Sequence, residues 1–237
     1  LAGSILRELK ASYEYALGKQ HLPEDFLNPA QAVSESLKRA GVKLTSNKRS
    51  RVLSEQELVK LLLWLPESAY TQNRKNVLRM TLWTGCRSGD ICASSWDQYD
   101  LKKGILVLQD TKNGTDQNVQ LPRQAVEFLR ELRTSTIKCP FPNKKTGEPI
   151  RQKTLTEQAW RMREKGQMLD IADWTPHDLR RTVRTGLSRL KCPSEVAEAV
   201  LGHAKQGIEG TYDLYSYEDE CREWLQKWAD FLDTLVS

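Results

Sequence analysis

The chain has 237 residues, of which 39% are hydrophobic and 28% charged, enough for one large domain or for one domain with part of another. Its net charge of +5 is unevenly distributed along the chain. Residues 213–237 contain seven acidic and two basic side chains and so carry −5, which leaves +10 on residues 1–212. Such a basic region suits a polyanionic partner. The absence of a long apolar run, of a signal-peptide pattern and of metal-type cysteine spacing argues against a membrane-spanning, secreted disulfide-rich or zinc-ribbon protein.

The first part of the chain is predicted to contain two helices and a linker. Because the chain starts at Leu1 without a methionine, we expect a piece of a longer protein. Apolar residues at helical spacing indicate a helix over 4–18, and a second helix is predicted from Pro29, which suits a first-turn position, to Ala40. Residues 42–52 (VKLTSNKRSRV) are polar and basic without periodicity, which is typical of a linker.

A mostly helical unit with one small antiparallel sheet is predicted for the rest. It begins at a capping box, in which Ser54 and Glu57 are three residues apart. GILVLQ at 104–109 and NVQL at 118–121 are rich in strand-forming residues and flank a turn, which predicts a hairpin. Helices are predicted over 55–65, 74–83, 89–95, 123–133, 155–163, 176–190 and 194–201, and an amphipathic helix over 223–236. The five cysteines fit reduced thiols in a cytosolic protein.

An arginine lies between two of these helices, in TGCRSGDI (84–91). Gly85 ends one helix, and Arg87 stands in the connection ahead of Asp90 on the next. A planar guanidinium in such a turn can bind a phosphate. It could equally cap backbone carbonyl groups.

A second basic stretch opens the helix of HDLRRTVRTGL (177–187). His177 and Arg180 are three residues apart and so share one face, at a helix N-terminus that favours anions. Arg181 and Arg184 lie on other sides, where they could be solvated or touch a nucleic-acid backbone.

Two more stretches supply a histidine and a lysine. In LGHA (201–204) Gly202 stops a helix and His203 follows it, and in TKNG (111–114) Lys112 enters the hairpin turn. Each residue alone is more often structural or solvated. Together, two arginines, two histidines and a lysine could surround a phosphodiester, offset its charge and protonate a leaving alkoxide. No acidic metal cluster accompanies them in the sequence, which makes a side-chain nucleophile such as tyrosine a candidate.

The order of these motifs resembles the tyrosine recombinases of the phage and genomic-island integrase kind. The order Arg, Lys, His-x-x-Arg, Gly-His, Tyr occurs here in TGCRSGDI, TKNG, HDLRRT, LGHA and TYDLY (211–215), and the resemblance covers about residues 51–217. It implies the mainly α catalytic-domain fold of that family, with a small antiparallel β-sheet. It also implies transesterification of phosphodiesters with no ATP, metal or other cofactor.

The resemblance assigns a role to each matched residue. Arg87 and Arg180 would clamp the scissile phosphate and stabilise the transition state. Lys112 would be the general acid for the departing 5′-hydroxyl. His177 would assist proton transfer at the nucleophile, and His203 would donate a hydrogen bond to a non-bridging oxygen.

The nucleophile is chosen by its distance from the Gly-His motif. In this family it usually follows the histidine by nine residues, which selects Tyr212. Tyr215 and Tyr217 miss that register and are predicted to act as packing rings. A phenol whose ordinary pKa is near 10 needs cations to stabilise its anion, and the two arginines could provide them.

The resemblance also predicts the organisation of the chain. Residues 1–44 would be the end of a helical core-binding domain with its linker, and residues 45–237 the catalytic domain. Asp90 would brace the site without taking part in the chemistry. Arg181 and Arg184 are the predicted additional DNA contacts.

The implied partner is double-stranded DNA carrying attachment sites, in the cytoplasm or nucleoid of a bacterial host. A homotetramer on the DNA, coupled through the C-terminal helix, and accessory DNA-bending proteins are expected. The same helix could instead pack on its own catalytic domain.

Three alternative functions are weighed against an integrase. A type IB topoisomerase uses similar chemistry but reseals the same strand, and the short chain and the HDLRRT and LGHA motifs favour the integrase. A catalytically silent architectural module would not need the complete residue set. A helical protein that never touches DNA fits poorly with a charge of +10 over residues 1–212.

Overall fold

The computed structural model describes residues 2–44, 50–109, 116–133, 138–203 and 215–237, and the chain divides into two compact units, Leu1–Arg49 and Ser50–Ser237. The described helices are α1 (Ala2–Gly18), α2 (Pro29–Arg39), α3 (Glu55–Glu67), α4 (Gln72–Thr84), α5 (Ser88–Ala93), α6 (Arg123–Leu132), α7 (Lys153–Glu164), α8 (Pro176–Arg189), α9 (Ser194–Val200) and α10 (Glu218–Thr234). The strands are β1 (Tyr99–Asp100), β2 (Ile105–Leu108) and β3 (Gln117–Gln120).

The first unit is a pair of helices joined through one asparagine. Asn28 caps α2, since its Oδ1 accepts hydrogen bonds from the backbone N–H groups of Ala30 (3.0 Å) and Gln31 (3.3 Å). Its Nδ2 donates to the carbonyl oxygen of Lys10 and to Glu14 Oε1 in α1. The assignment of this unit to a core-binding domain stays a prediction.

The second unit begins at the predicted capping box. Ser54 Oγ accepts from the backbone N–H of Glu57 (3.2 Å), and Glu57 Oε2 accepts from that of Ser54 (2.8 Å). This reciprocal pair satisfies two N–H groups that the first turn of α3 leaves without helical partners. The other predicted helices of this unit are found with ends shifted by a few residues, and α10 starts five residues earlier than predicted.

The predicted hairpin is confirmed, within a sheet of three antiparallel strands in the order β1-β2-β3. In its register Leu106 lies opposite Val119, and Leu108 opposite Gln117. Sequence patterns missed β1, because two residues are too few for an alternating pattern to emerge.

The C-terminal helix α10 packs on the unit to which it belongs. Trp228 is 1% exposed, and its Nε1 donates a hydrogen bond to the carbonyl oxygen of Leu82 at 2.7 Å. The indole also lies against Gly186 of α8, where a β-carbon would come within 2.2 Å of the ring. Of the two packing arrangements considered for this helix, the structure shows the one within the same chain.

All five cysteines are buried and free. No helix in the described part of the chain combines the length and the apolar character needed to cross a membrane.

Candidate active site

The turn between α4 and α5 lies against α8 and the end of α9. Gly85 ends α4 in the left-handed conformation, with φ of +68°. The positive φ favours glycine at this position, and a β-carbon would also press against Leu201 (3.1 Å) and Val183 (3.2 Å). This approach brings together TGCRSGDI, HDLRRTVRTGL and LGHA, which are far apart in the sequence.

Arg180 is the centre of this junction. Its side chain is buried, with the residue 4% exposed, and Nη1 donates to the carbonyl oxygen of Gly85 at 2.7 Å. Its Nη2 donates to the carbonyl oxygen of Leu201 and lies 3.1 Å from His203 Nε2. Burial lowers the pKa of Arg180, and the nearby charge of Arg87 acts in the same direction.

Arg87 stands at the N-terminus of α5, directly after the turn that Arg180 holds. Its Nη1 lies 3.8 Å from Asp90 Oδ2, and both side chains keep only about a fifth to a quarter of their exposure. Partial burial raises the pKa of Asp90, although the charges of Arg87 and Arg180 oppose this shift. Asp90 therefore lies near both arginines, and its bracing role stays a prediction.

His177 lies at the start of α8, just after Pro176. A capping box fixes this end, because Asp178 Oδ2 accepts from the backbone N–H of Thr175 (2.9 Å) and from its hydroxyl (2.7 Å). Desolvation lowers the pKa of His177, and the charges of Arg181, Arg180 and Arg87 lower it further. The neutral imidazole that results can accept a proton.

The two arginines predicted to contact DNA also have partners within the chain. Arg181 Nη1 lies 2.6 Å from Oδ1 of the fully buried Asp178. Arg184 Nε lies 2.8 Å from Glu198 Oε1, and its Nη1 and Nη2 donate to Ser188 and Ser194. Their contact with DNA stays a prediction.

His203 follows α9 and points its two ring nitrogens at different partners. Nε2 faces Arg180, and Nδ1 lies 2.5 Å from Glu198 Oε2. Glu198 and Asp178 are members of the site that were not among the predicted residues. The Thr-x-x-Asp spacing from Thr175 could have revealed Asp178, whereas Glu198, five residues before the histidine, matches no motif.

Two predicted residues, Lys112 and Tyr212, lie outside the described residues. The strand after Lys112 contacts the site, since Gln117 Nε2 donates to the carbonyl oxygen of Val200 at 3.2 Å. Beyond Tyr212, the rings of Tyr215 and Tyr217 meet edge to face at 4.8 Å. Tyr217 packs partly buried against the core, whereas Tyr215 is 56% exposed, so only Tyr217 fits the prediction of a packing ring. The Tyr215 hydroxyl also donates to the Glu220 carboxylate.

The site is a cationic junction that could bind a phosphodiester and stabilise the negative charge that develops on its non-bridging oxygens during cleavage. Arg87, Arg180 and His203 come from three segments and meet around one glycine turn. Over the described ranges, no group of three or more histidine, cysteine or carboxylate side chains could hold a metal ion.

Comparisons with known proteins point to one family. A model described as the phage integrase family matches residues 51–218. A shufflon-specific DNA recombinase of Escherichia coli is 33% identical over 104 residues, which cover 44% of this chain and 24% of that protein. The tyrosine recombinase XerA of Thermococcus kodakarensis is 23% identical over 171 residues, which cover 71% of this chain and 59% of XerA. The chain thus spans less than two thirds of either relative.

A solved structure shares the fold. A lambda integrase tetramer bound to a Holliday junction aligns with a TM-score of 0.58 and 20% identity, over 86% of this chain and 58% of that one. At this identity the likeness concerns the fold alone, and it confirms the predicted fold class, mainly α with a small antiparallel sheet.

Proposed function

The chain belongs to the phage integrase family, and from this premise we propose that it is the catalytic part of a site-specific tyrosine recombinase. Such an enzyme would cleave and rejoin DNA strands through a covalent 3′-phosphotyrosyl intermediate, for integration or excision of a mobile element. The observation that carries the proposal is the junction at Gly85, where Arg180 holds the turn before Arg87 and the ring of His203 together.

Cleavage begins with attack on the scissile phosphate. The Tyr212 oxygen bonds to phosphorus while the bond to the 5′-oxygen breaks, so the phosphodiester is exchanged rather than consumed. The tyrosine proton goes to the neutral His177, and Lys112 gives a proton to the departing 5′-oxygen. Arg87 and Arg180 balance the charge on the non-bridging oxygens.

Rejoining reverses these steps with a new strand. A 5′-hydroxyl from a partner duplex attacks the phosphotyrosine, its proton passes to Lys112, and Tyr212 leaves with a proton from His177. Because the energy of the phosphodiester is retained in the covalent intermediate, strand transfer would not consume ATP. Arginine and lysine side chains would supply the charge and the proton, roles that a metal ion has in other phosphoryl-transfer enzymes.

The proposed partner is double-stranded DNA with attachment sites, in the cytoplasm of a bacterial host. Recombination between two duplexes needs four cleavages, which suits a homotetramer on DNA, and accessory DNA-bending proteins would assist its assembly. Trp228 and Leu225 of α10 are buried against the same chain. Coupling of copies through α10 would therefore use the exposed surface of that helix, or would require the helix to detach from its own catalytic domain.

The test is covalent trapping on a nicked DNA substrate that carries the cognate attachment site. We expect wild-type protein to become attached to the 3′ end of the cleaved strand, with the phosphate mapped to Tyr212. Tyr212→Phe should abolish attachment and keep DNA binding, because phenylalanine lacks only the attacking oxygen. Tyr215→Phe is the matched control and should still attach.

Other outcomes would identify the alternatives. If attachment survives Tyr212→Phe but is lost in Tyr215→Phe or Tyr217→Phe, the nucleophile is that other tyrosine. Resealing only of the original strand would indicate a topoisomerase, and binding without attachment would indicate an architectural module.

A further inference from the structure

We infer that Glu198 is a positioning residue for strand transfer: its carboxylate fixes the ring orientation and the protonated nitrogen of His203, and thereby the hydrogen bonds that His203 and Arg180 can make. The inference rests on the proposed function, in which Arg180 contacts the scissile phosphate, with His203 beside Arg180.

Glu198 holds His203 at two points. Its Oε2 lies 2.5 Å from His203 Nδ1, and its backbone carbonyl oxygen accepts a hydrogen bond from the His203 backbone N–H at 3.1 Å. Both the position of the residue after α9 and the rotation of its ring are therefore set by one glutamate.

The glutamate is itself held by α8. Its Oε1 accepts from Arg184 Nε at 2.8 Å, and Arg184 is fixed by the hydroxyl groups of Ser188 and Ser194. Burial opposes ionisation of Glu198, but the hydrogen bonds from His203 and Arg184 outweigh it, so its pKa lies below the ordinary value. At neutral pH the group is a carboxylate and can only accept hydrogen bonds.

These partners allow one neutral form of the ring. Arg180 can only donate, so His203 Nε2, 3.1 Å from Arg180 Nη2, must accept. The carboxylate of Glu198 can only accept, so Nδ1 must carry the proton. The proton is thus on the nitrogen remote from Arg180, whereas the isolated side chain in water favours Nε2.

This form has a consequence for phosphate binding. With its proton on Nδ1, His203 has no Nε2–H to donate to a phosphate oxygen and instead receives a hydrogen bond from Arg180. A second proton would change this, because two donors cannot bond to each other and both Nε2–H and Arg180 Nη2–H would turn to a shared acceptor. The carboxylate at Nδ1 lies where it would balance that second charge.

A purely structural role for Glu198 makes a different prediction. If the residue only ties α9 to α8 through Arg184, its loss should lower stability and leave the remaining folded protein with normal cleavage. It should also leave the protonated nitrogen of His203 unchanged.

The first measurement is the ¹⁵N NMR spectrum of the imidazole groups in the full 237-residue chain without DNA. The chain has three histidines, and His203→Gln identifies the signals of His203 by their loss. In the wild-type protein at neutral pH we expect the proton on Nδ1. In Glu198→Ala the ring loses its acceptor at Nδ1 and can turn away from Arg180, so the population should shift toward Nε2–H. A wild-type ring protonated on Nε2 would overturn the inference without any glutamate variant.

The second measurement is single-turnover cleavage of the nicked attachment-site DNA. We expect Glu198→Ala to slow cleavage about 10–100-fold, the order of magnitude lost when the outer-shell partner of a metal-bound histidine is removed. Glu195→Ala, which removes the same charge from an exposed position of the same helix, is the matched control and should cleave as wild type.

Glu198→Gln keeps an acceptor for Nδ1–H without the charge. It should retain the proton on Nδ1 and recover part of the lost rate. If Glu198→Ala fails to fold, the cleavage rate of Glu198→Gln still tests the inference. Unchanged cleavage in both variants would show that Glu198 does not position His203 for strand transfer, whatever the form of the ring. If neither the wild-type protein nor any variant attaches to DNA, the proposed function is wrong. The NMR result still tests the effect of Glu198 on His203 in that case.

Discussion

Helix α8 presents two buried faces that are held by different forces. Toward its start, Arg180 reaches two backbone carbonyl groups and His203 through directional hydrogen bonds. Toward its end, Gly186 receives the indole of Trp228 from α10 in close apolar packing. Both Arg180 (4% exposed) and Trp228 (1% exposed) are removed from water.

The difference separates stability from function. Burial of the Trp228 face is favourable in itself, because apolar surface leaves water. Burial of a guanidinium costs desolvation free energy that its hydrogen bonds only offset. The polar face is therefore poor at stabilising the fold but is prepared for an anion, and substitutions on the two faces should affect different measurements.

The largest effect is expected on the apolar face. Trp228→Ala should lower the free energy of unfolding by about 3–5 kcal/mol, since it removes a large buried ring and leaves a cavity against Gly186. Urea denaturation measures this change. Trp224→Ala, on a partly exposed position of the same helix, is the control and should cost much less. Equal losses would mean that α10 does not pack as described.

A smaller effect, seen mainly in activity, is expected on the polar face. Arg180→Lys keeps the charge but loses the planar fork that reaches Gly85, Leu201 and His203 at once. Cleavage should fall by about 10²–10³-fold, as when one preorganised donor is removed from a transition state. Binding to the attachment-site duplex should change far less.

The control for this variant is Arg189→Lys, at an exposed position in the last turn of α8. It should leave both cleavage and binding as in wild type. Parallel loss of binding and cleavage in Arg180→Lys would show that Arg180 only holds the DNA backbone, and the contrast between the two faces would then be lost.

The sequence predicted local features and site residues better than it predicted contacts between helices. Local signals sufficed for the capping box at Ser54 and for the hairpin, because cap spacing and strand alternation act over a few residues. The order of motifs selected Arg87, Arg180 and His203, which the structure brings together. Neither signal could give the contact between Glu198 and Arg184 or between Gly186 and Trp228. These contacts depend on how α8, α9 and α10 pack, and a glutamate or a glycine within a helix has no pattern of its own.

The smallest effect expected is a pH dependence on the polar face. The pKa of His177 is lowered in the folded protein by desolvation and by three arginines, so between that value and the unfolded pKa, about 6.5, the unfolded chain binds more protons. The free energy of unfolding should therefore fall as the pH decreases through this window, and less so in His177→Gln. Thermal unfolding of both proteins at about pH 7.5 and 5.5 measures the difference.

DNA should reverse the sign of this proton effect. A phosphate placed among Arg87, Arg180 and Arg181 offsets the positive charges that disfavour protonation of His177, so the complex should bind protons more readily than the free protein. Affinity for the attachment-site duplex should then rise more steeply with decreasing pH in wild type than in His177→Gln. If the two proteins show the same pH dependence of binding, the phosphate does not lie beside this histidine, and the polar face extends only from Arg87 to His203.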